Sequence, residues 1–352
     1  MTKSEIEKKK KRGQLLFLLI SIVFIIVFVF KFSELSNTVE LLMSGSVFFL
    51  LCVIALQVLS IINRGALYHS VYDYFGARDT LRRLTYLSLS SNFINLVAPA
   101  GGLSGMTIFI SEAEDQGMSK SRAIFVNIFI YFLIYSVFIA ALLFGLFYLF
   151  FNHQLQKYII ITAAILFGMI VVILFAAIIA FEGASRVKNV IGFIAKLVNS
   201  VAGFLQRRKI IISNTDVHVV SEEVHECIKI LKRKSKGLFL PVLHVFLLEA
   251  IDVITLYYLF LSFGYPVYPG VLITLYSVGV LFSLVSITPS GLGIVEATMI
   301  LVAAGLGIPV ELASVVVIGY RLVTFWLPFL LGYYSFRKMQ KEKIIHLENG
   351  SA

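Results

Sequence analysis

"SITPSGLGIVEA", residues 286–297, interrupts a long apolar sequence with a proline, two glycines and a glutamate. The flanking stretches, "GVLITLYSVGVLFSLV" and "TMILVAAGLG", are almost entirely apolar. Proline and glycine break helices, and a broken backbone inside a bilayer is tolerated only where protein covers it or where it lines a polar cavity. The stretch therefore predicts a helix break beside such a cavity, with Glu296 close to it.

The composition of the chain is that of a membrane protein. Of its 352 residues 59% are hydrophobic and 14% are charged, and the mean hydropathy is +0.92. Apolar runs that approach or exceed the roughly 20 residues of a membrane-spanning helix lie at 15–30, 41–62, 123–151, 158–181, 238–263, 270–288 and 311–336. We therefore predict an all-α polytopic membrane protein with about eight membrane segments.

The amino terminus favours an uncleaved first helix over a secretory signal. "KKKKR" at 8–12 precedes the first apolar run, but "KFSELSN" after that run offers no small-residue cleavage site. Cys52 and Cys227 lie far apart and form neither a disulfide framework nor a zinc motif. The net charge of +10 is more typical of basic cytoplasmic loops facing anionic lipid than of nucleic-acid binding.

The distribution of basic residues predicts the topology. Lys and Arg concentrate in residues 1–12, 64–83, 182–237 and 337–352, whereas the loops at 31–40, 152–157 and 263–269 carry only Lys31 and Lys157. The positive-inside rule places the first four regions in the cytoplasm and the three loops outside. We expect a multi-pass protein of the cell membrane with both termini cytoplasmic, a basic N-terminus (1–12), one transmembrane domain (13–336) and a tail (337–352).

This topology requires two segments that enter the membrane and return to the same side. Residues 84–121 begin and end inside, and residues 270–308 begin and end outside. Their turns would be "APAGG" at 98–102 and "TPSGLG" at 288–293. The arms of the first, about 15 and about 9 residues, are shorter than a full span, so a re-entrant hairpin of half-helices fits better. The first arm of the second could be a full span, which leaves its depth open.

The two hairpins align when the sequence is shifted by 190 positions, without a gap over 25 positions. Pro99 then falls on Pro289, and Gly101 falls on Gly291. Together with the opposite orientations, this predicts an inverted repeat, 42–150 against 236–336, joined by the amphipathic cytoplasmic loop 182–237. The alternative is that the two turns arose separately in one bundle. The predicted helix-break residues are Pro99, Gly101, Gly102, Pro289, Gly291 and Gly293.

Four charged residues lie in the interior of the predicted membrane segments. Glu249 and Asp252 are three positions apart and share a helix face, Glu296 follows the second turn, and Arg321 lies ten residues into the last run. Intramembrane charges are costly unless they are paired or hydrated, so each is a candidate functional residue. We expect them to form a partly self-neutralising cluster. Alternatively, Arg321 only fastens the last helix to the hairpin through a carboxylate.

Three further polar residues have two interpretations each. Arg64 is either an arginine that reaches back to the membrane interface or a contact for a lipid headgroup. Asn92 and Asn95 either cap the broken backbone at the first turn or bind a ligand.

The sequence predicts no metal site and no cofactor. His218 and Glu222 are four positions apart with His225 and Cys227 nearby, but a solvated helix is the simpler interpretation of this stretch. There is no Walker A, G-x-S-x-G or H-E-x-x-H motif. The absence of a Walker A motif disfavours an ATP-driven pump.

The chain resembles the lysylphosphatidylglycerol synthase transmembrane-region family, which includes the YbhN/AglD-like membrane proteins. The resemblance covers about 15–336 and rests on N-x-x-x-P-x-G-G at 95–102, P-x-G-x-G-x-x-E at 289–296 and the pair Tyr320-Arg321. It implies a flippase-like domain, which in multidomain relatives moves aminoacylated phosphatidylglycerol and contributes to resistance against cationic antimicrobial peptides. Relatives often carry an acid and an arginine soon after the first glycines, whereas the nearest acid here is Glu112.

The resemblance also bears on enzymatic activity. Some relatives add a soluble domain that transfers lysine from tRNA to the lipid, and we expect that domain to be absent here. The leading hypothesis is therefore a flippase or transporter of a membrane phospholipid. Arg321 and Arg64 would hold the phosphate, and Glu249, Asp252 and Glu296 would contact a cationic headgroup or relay protons. The alternatives are the membrane part of a lipid or glycosyl transferase, or a partner of such an enzyme. Homo-oligomerisation stays open, and no nucleic-acid partner is expected.

Overall fold

The computed structural model of the protein describes residues 44–97, 103–113, 117–157, 214–233, 235–286 and 291–349, with short pieces between 159 and 200. The elements in the main ranges are all helical. In chain order they are α1 (Val47–Tyr74), α2 (Leu81–Val97), α3 (Leu103–Ala113), α4 (Lys120–Phe151), α5 (Asn214–Arg233), α6 (Phe239–Ser262), α7 (Pro269–Val285), α8 (Ile294–Gly305), α9 (Val310–Arg321) and α10 (Leu327–Asn349). A 3₁₀ turn (Ser235–Leu238) precedes α6, and a π-helical turn (Leu322–Trp326) joins α9 to α10.

Within these ranges four helices are long and apolar enough to cross a bilayer: α1, α4, α6 and the continuous helix Val310–Lys341. They have 28, 32, 24 and 32 residues, above the roughly 20 that a span needs. They correspond to the predicted runs 41–62, 123–151, 238–263 and 311–336. The run 15–30 and most of 158–181 lie outside the described residues. The protein is therefore an all-α polytopic membrane protein.

The two predicted hairpins are occupied by short helices. In the first, α2 has 17 residues and α3 has 11, and in the second α7 has 17 and α8 has 12. At about 1.5 Å per residue even the longer arms reach only about 26 Å, less than the roughly 30 Å of the hydrocarbon core. The turn residues Pro99, Gly101, Gly102 and Pro289 lie outside the described residues.

The backbone break of the second hairpin is visible on its carboxyl side. Helix α7 ends at Val285 and α8 begins at Ile294. Between them Gly291 and Gly293 have φ angles of +71° and +84°, which L side chains rarely adopt. A Cβ on Gly291 would also lie 2.4 Å from a methyl group of Val295. The chain therefore leaves the helical conformation at these two glycines before α8 begins.

Helix packing crosses between the amino- and carboxyl-terminal parts of the chain. The most extensive contacts are α1 with α6, α2 with α10, and α4 with α7. The longer arm of the first hairpin, α2, thus packs against α10 at the end of the carboxyl-terminal part. The longer arm of the second hairpin, α7, packs against α4, the last long helix of the amino-terminal part.

A glycine lies at two of these contacts, that of α2 with α10 and that of α4 with α7. A Cβ on Gly332 of α10 would lie 2.5 Å from the carbonyl oxygen of Leu89 in α2. A Cβ on Gly145 of α4 would lie 3.3 Å from Ser277 and Thr274 of α7. The absence of a side chain lets the helices approach closely, as is usual at helix contacts in membranes.

The buried apolar residues form two clusters. On α1, Val53 belongs to one cluster and Leu67 to the other, and on α6 Leu256 and Leu248 divide in the same way. The segments of α1 and α6 between these residues therefore lie at the border between two apolar cores.

Helix α5 is attached to the membrane domain by its apolar face. Cys227 and Leu231 are buried in the same cluster as Leu67. At the start of α4, the hydroxyl of Ser119 donates a hydrogen bond to Glu223. Residues 214–233 are thus not a helix solvated on all sides, because the amphipathic pattern places one face against α4.

Candidate functional site

A polar cavity of about 90 Å³ lies between α1, α2, α6 and the junction of α9 with α10. Its polar lining consists of Gln57, Ser60, Arg64, Ser88, Asn92, Asp252 and Thr324. The volume has room for several water molecules. The cavity lies at the border of the two apolar cores, and its α1 residues fall between Val53 and Leu67.

Helix α1 supplies the longest polar stripe of the cavity. Gln57, Ser60 and Arg64 are spaced i, i+3 and i+7, so they share one face of the helix. Gln57 and Ser60 are 4% and 3% exposed, although the lipid-facing side of the same helix is apolar. Because of this spacing, one face of a membrane-spanning helix forms a wall of the polar cavity.

The other walls bring in residues that are distant in sequence. Asp252 comes from the middle of α6, and Ser88 and Asn92 are one turn apart on α2. Thr324 belongs to the π-helical turn, a distortion that is frequent at functional sites. The cavity therefore places an arginine and an aspartate among neutral hydrogen-bonding groups, far from the ends of the spanning helices.

Direct hydrogen bonds join α1 and α6 at two places along their length. The amide of Ser46 donates to the carbonyl of Ser262 at 2.7 Å. The side-chain amide of Asn63 donates to the carbonyl of His244 at 2.8 Å, and the Nδ1 of His244 lies 2.6 Å from Asn63 Oδ1. The two helices are therefore antiparallel, and Gln57, Ser60 and Asp252 lie between these contacts.

Glu296 and Arg321 form a separate, partly buried ion pair. Arg321 Nε donates to Glu296 Oε1 at 2.9 Å, with the side chains 11% and 19% exposed. Glu296 Oε2 accepts the amide of Gly293 at 2.7 Å, which caps the start of α8. The guanidinium also lies 4.5 Å from the centre of the Phe325 ring. This geometry favours the interpretation that Arg321 fastens the last helix to the hairpin.

The structure distributes the four predicted charges over different partners. Glu249 accepts a hydrogen bond of 2.6 Å from the hydroxyl of Tyr276, whereas Asp252 lines the cavity with Arg64. Sequence reasoning missed Gln57, Ser60, Ser88 and Thr324. The available signal was the polar spacing at 57, 60 and 64 within an apolar run.

The two asparagines of α2 have different positions. Asn92 lines the cavity. Asn95 Oδ1 accepts the amide of Gly105 at 2.6 Å, and its Nδ2 donates to the hydroxyl of Tyr131 at 3.2 Å. Asn95 therefore caps the first turn of α3 and ties it to α4.

Replacing Asn95 with alanine is expected to lower the free energy of unfolding by about 1 kcal/mol, because the amide of Gly105 loses its acceptor. Denaturant unfolding of the purified protein in detergent measures this change. Asn95→Asp retains an acceptor and should lose less. An unchanged stability of Asn95→Ala together with impaired lipid transport would instead support the ligand-binding interpretation.

The histidine-rich stretch offers little for a metal. Among the described residues, no three His, Cys, Asp or Glu side chains are grouped closely enough to hold an ion. Burial raises the pKa of Cys227 to about 11, so its thiol stays protonated at neutral pH.

Comparison with known proteins identifies the family. The model described as the lysylphosphatidylglycerol synthase TM region matches residues 14–332. The chain belongs to this family. A UPF0104 membrane protein of Methanocaldococcus jannaschii is 24% identical over 338 residues, which cover 92% of this chain and 94% of that protein. A UPF0104 membrane protein of Pyrococcus horikoshii is 28% identical over 102 residues, or 29% of this chain and 30% of that protein. All the cavity residues lie within the range matched by the lysylphosphatidylglycerol synthase TM region.

Proposed function

We propose that this member of the lysylphosphatidylglycerol synthase TM-region family is a phospholipid flippase of the cell membrane. The lipid headgroup passes through the polar cavity while the acyl chains stay in the bilayer. The observation that carries this proposal is a cavity lined by Arg64 and Asp252 between helices whose outer faces are apolar.

The chemistry of the cavity suits a headgroup. Intramembrane charges are rare and typically mark substrate or ion pathways. Arg64 offers a planar, permanently charged donor that matches a phosphate. Asp252 and the neutral polar groups can contact the rest of the headgroup, including the amine of an aminoacylated phosphatidylglycerol. Because Arg321 is paired with Glu296, we assign the principal phosphate contact to Arg64.

We further propose that the transmembrane domain is an inverted repeat of α1–α4 and α6–α10, with about eight membrane segments and cytoplasmic termini. Both parts contain a long helix, a 17-residue helix, an 11- or 12-residue helix and a 32-residue helix, in this order. Corresponding helices begin about 190 positions apart. The reciprocal packing of α2 with α10 and of α4 with α7 also supports this symmetry.

Such an arrangement supports alternating access to the cavity. Two apolar cores meet along α1 and α6, and the cavity lies at their border. Rocking of one repeat against the other along the contact of α1 with α6 would open the side of Asn63 and His244, or the side of Ser46 and Ser262, in turn.

Flipping of headgroup-labelled phosphatidylglycerol in proteoliposomes, read with a membrane-impermeant quencher, tests the proposal. Arg64→Ala is expected to slow protein-dependent flipping by about 10-fold or more, because a charge-assisted contact to the phosphate is lost. Arg233→Ala is the matched control, since Arg233 is exposed at the end of α5. Equal rates for wild type and Arg64→Ala would overturn the role of the cavity. Absence of flipping, together with co-purification of a lipid-modifying enzyme, would favour the partner-subunit hypothesis.

A further inference from the structure

Gln57 contains a buried acceptor without a partner among the described residues. Its side chain is 4% exposed, and its Oε1 atom receives no hydrogen bond from the described part of the chain. Buried polar atoms are nearly always satisfied, so an exception in a cavity wall indicates a site for a ligand. Gln57 lines the same cavity as Arg64 and Asp252.

The cavity therefore presents two opposite requirements. Arg64 has only donors and suits the oxygens of a phosphate. The carboxylate of Asp252 and the Oε1 atom of Gln57 require hydrogen-bond donors. A headgroup that contains a phosphate but no N–H or O–H group would satisfy the arginine but offer these acceptors no hydrogen-bond donor of its own.

We propose that this cavity selects phospholipids whose headgroup carries an N–H or O–H donor beyond the phosphate, and that Gln57 is a specificity-determining residue. The donor can be a hydroxyl, as in phosphatidylglycerol, or an ammonium, as in phosphatidylethanolamine. The inference rests on the proposed function for the route by which the headgroup reaches the cavity. It goes further by stating that the cavity selects lipids by the hydrogen-bond donors of the headgroup and not by the net charge of the headgroup.

Two pairs of lipids isolate the donor from the charge. Phosphatidylglycerol and phosphatidylmethanol are both anionic, but only the first has hydroxyl donors. Phosphatidylethanolamine and phosphatidylcholine are both zwitterionic, but only the first has N–H donors. A site that recognises charge alone would not distinguish the members of either pair.

Native mass spectrometry of the purified full chain, with an equimolar mixture of each pair and identical acyl chains, tests the proposal. The wild-type protein is expected to retain the donor-bearing lipid about 10-fold more than its partner, since an unsatisfied buried acceptor has a free-energy cost of this order. Gln57→Leu should reduce this ratio to below about 3-fold, because one acceptor is removed. Gln156→Leu, the same change at an exposed side chain, should leave the ratio unchanged.

The outcomes separate this inference from the proposed function. Retention of phosphatidylmethanol by Gln57→Leu at the wild-type level shows that the variant is folded. A ratio near one in the wild type would overturn donor selection, whether or not the protein flips lipid. A wild-type ratio that persists in Gln57→Leu would overturn the role of Gln57. Selective retention without flipping in proteoliposomes would preserve the inference and overturn the flippase.

Discussion

Replacing Arg321 with leucine is expected to lower the free energy of unfolding by about 3–5 kcal/mol, because Glu296 is left with a partly buried and unpaired charge. The two side chains are only 11% and 19% exposed, so solvent screens their interaction little. Denaturant unfolding in detergent micelles measures the loss.

A second variant separates the fastening role of Arg321 from lipid binding. In Arg321→Leu/Glu296→Gln the unpaired charge is gone, and the glutamine oxygen can still accept the amide of Gly293. The double variant should therefore regain most of the stability and, with it, lipid transport. Wild-type stability of Arg321→Leu combined with lost transport would contradict the fastening role and restore Arg321 as a phosphate contact.

Replacing Gly332 with alanine is expected to lower the free energy of unfolding by about 1–3 kcal/mol, with a matching fall in thermal stability. The new Cβ would lie 2.5 Å from the carbonyl oxygen of Leu89 and 2.9 Å from the Cβ of Phe93. Because backbone atoms are involved, α2 and α10 must move apart to accommodate it.

Alanine substitutions at two other glycines serve as controls for the loss of stability expected at Gly332. Gly145→Ala brings a Cβ only to 3.3 Å from Ser277 and Thr274, so a smaller loss is expected. Gly168→Ala meets nothing within 4 Å and should not destabilise. If all three variants were equally stable, the close approach of α2 and α10 would not be a determinant of the fold.

The sequence predicted the long helices and the broken segments because both follow from local chemistry. Apolar runs of spanning length mark the positions of α1, α4 and α6, although α1 continues to Tyr74, well past the run 41–62, and the glycines of the second turn lie at the break before α8. The packing of each hairpin against a helix from the other half of the chain could not be predicted from the sequence. It depends on close approaches such as Gly332 against Leu89, which join residues more than 240 positions apart.

The charged residues of the site could be predicted from the sequence, but its neutral lining residues could not. Intramembrane arginines and acids stand out in apolar sequence, so Arg64 and Asp252 were found before the fold was known. Gln57 and Ser60 are neutral, and although their spacing with Arg64 marks a polar face of α1, nothing in the local sequence says that this face meets α6. The sequence did not show that Arg321 pairs with Glu296 instead of lining the cavity, because four charged residues allow several pairings.

The contact between α2 and α10 has a consequence for the biogenesis of the protein. Helix α2 ends at Val97, but its most extensive partner begins at Leu327. At about 5–20 residues per second, a ribosome needs on the order of ten to fifty seconds to bridge that interval. During this time the first hairpin, with its serines and asparagines, is inserted without the helix that later covers it. The nascent chain therefore depends on the insertion machinery or its chaperones to shield these polar groups until the last helix arrives.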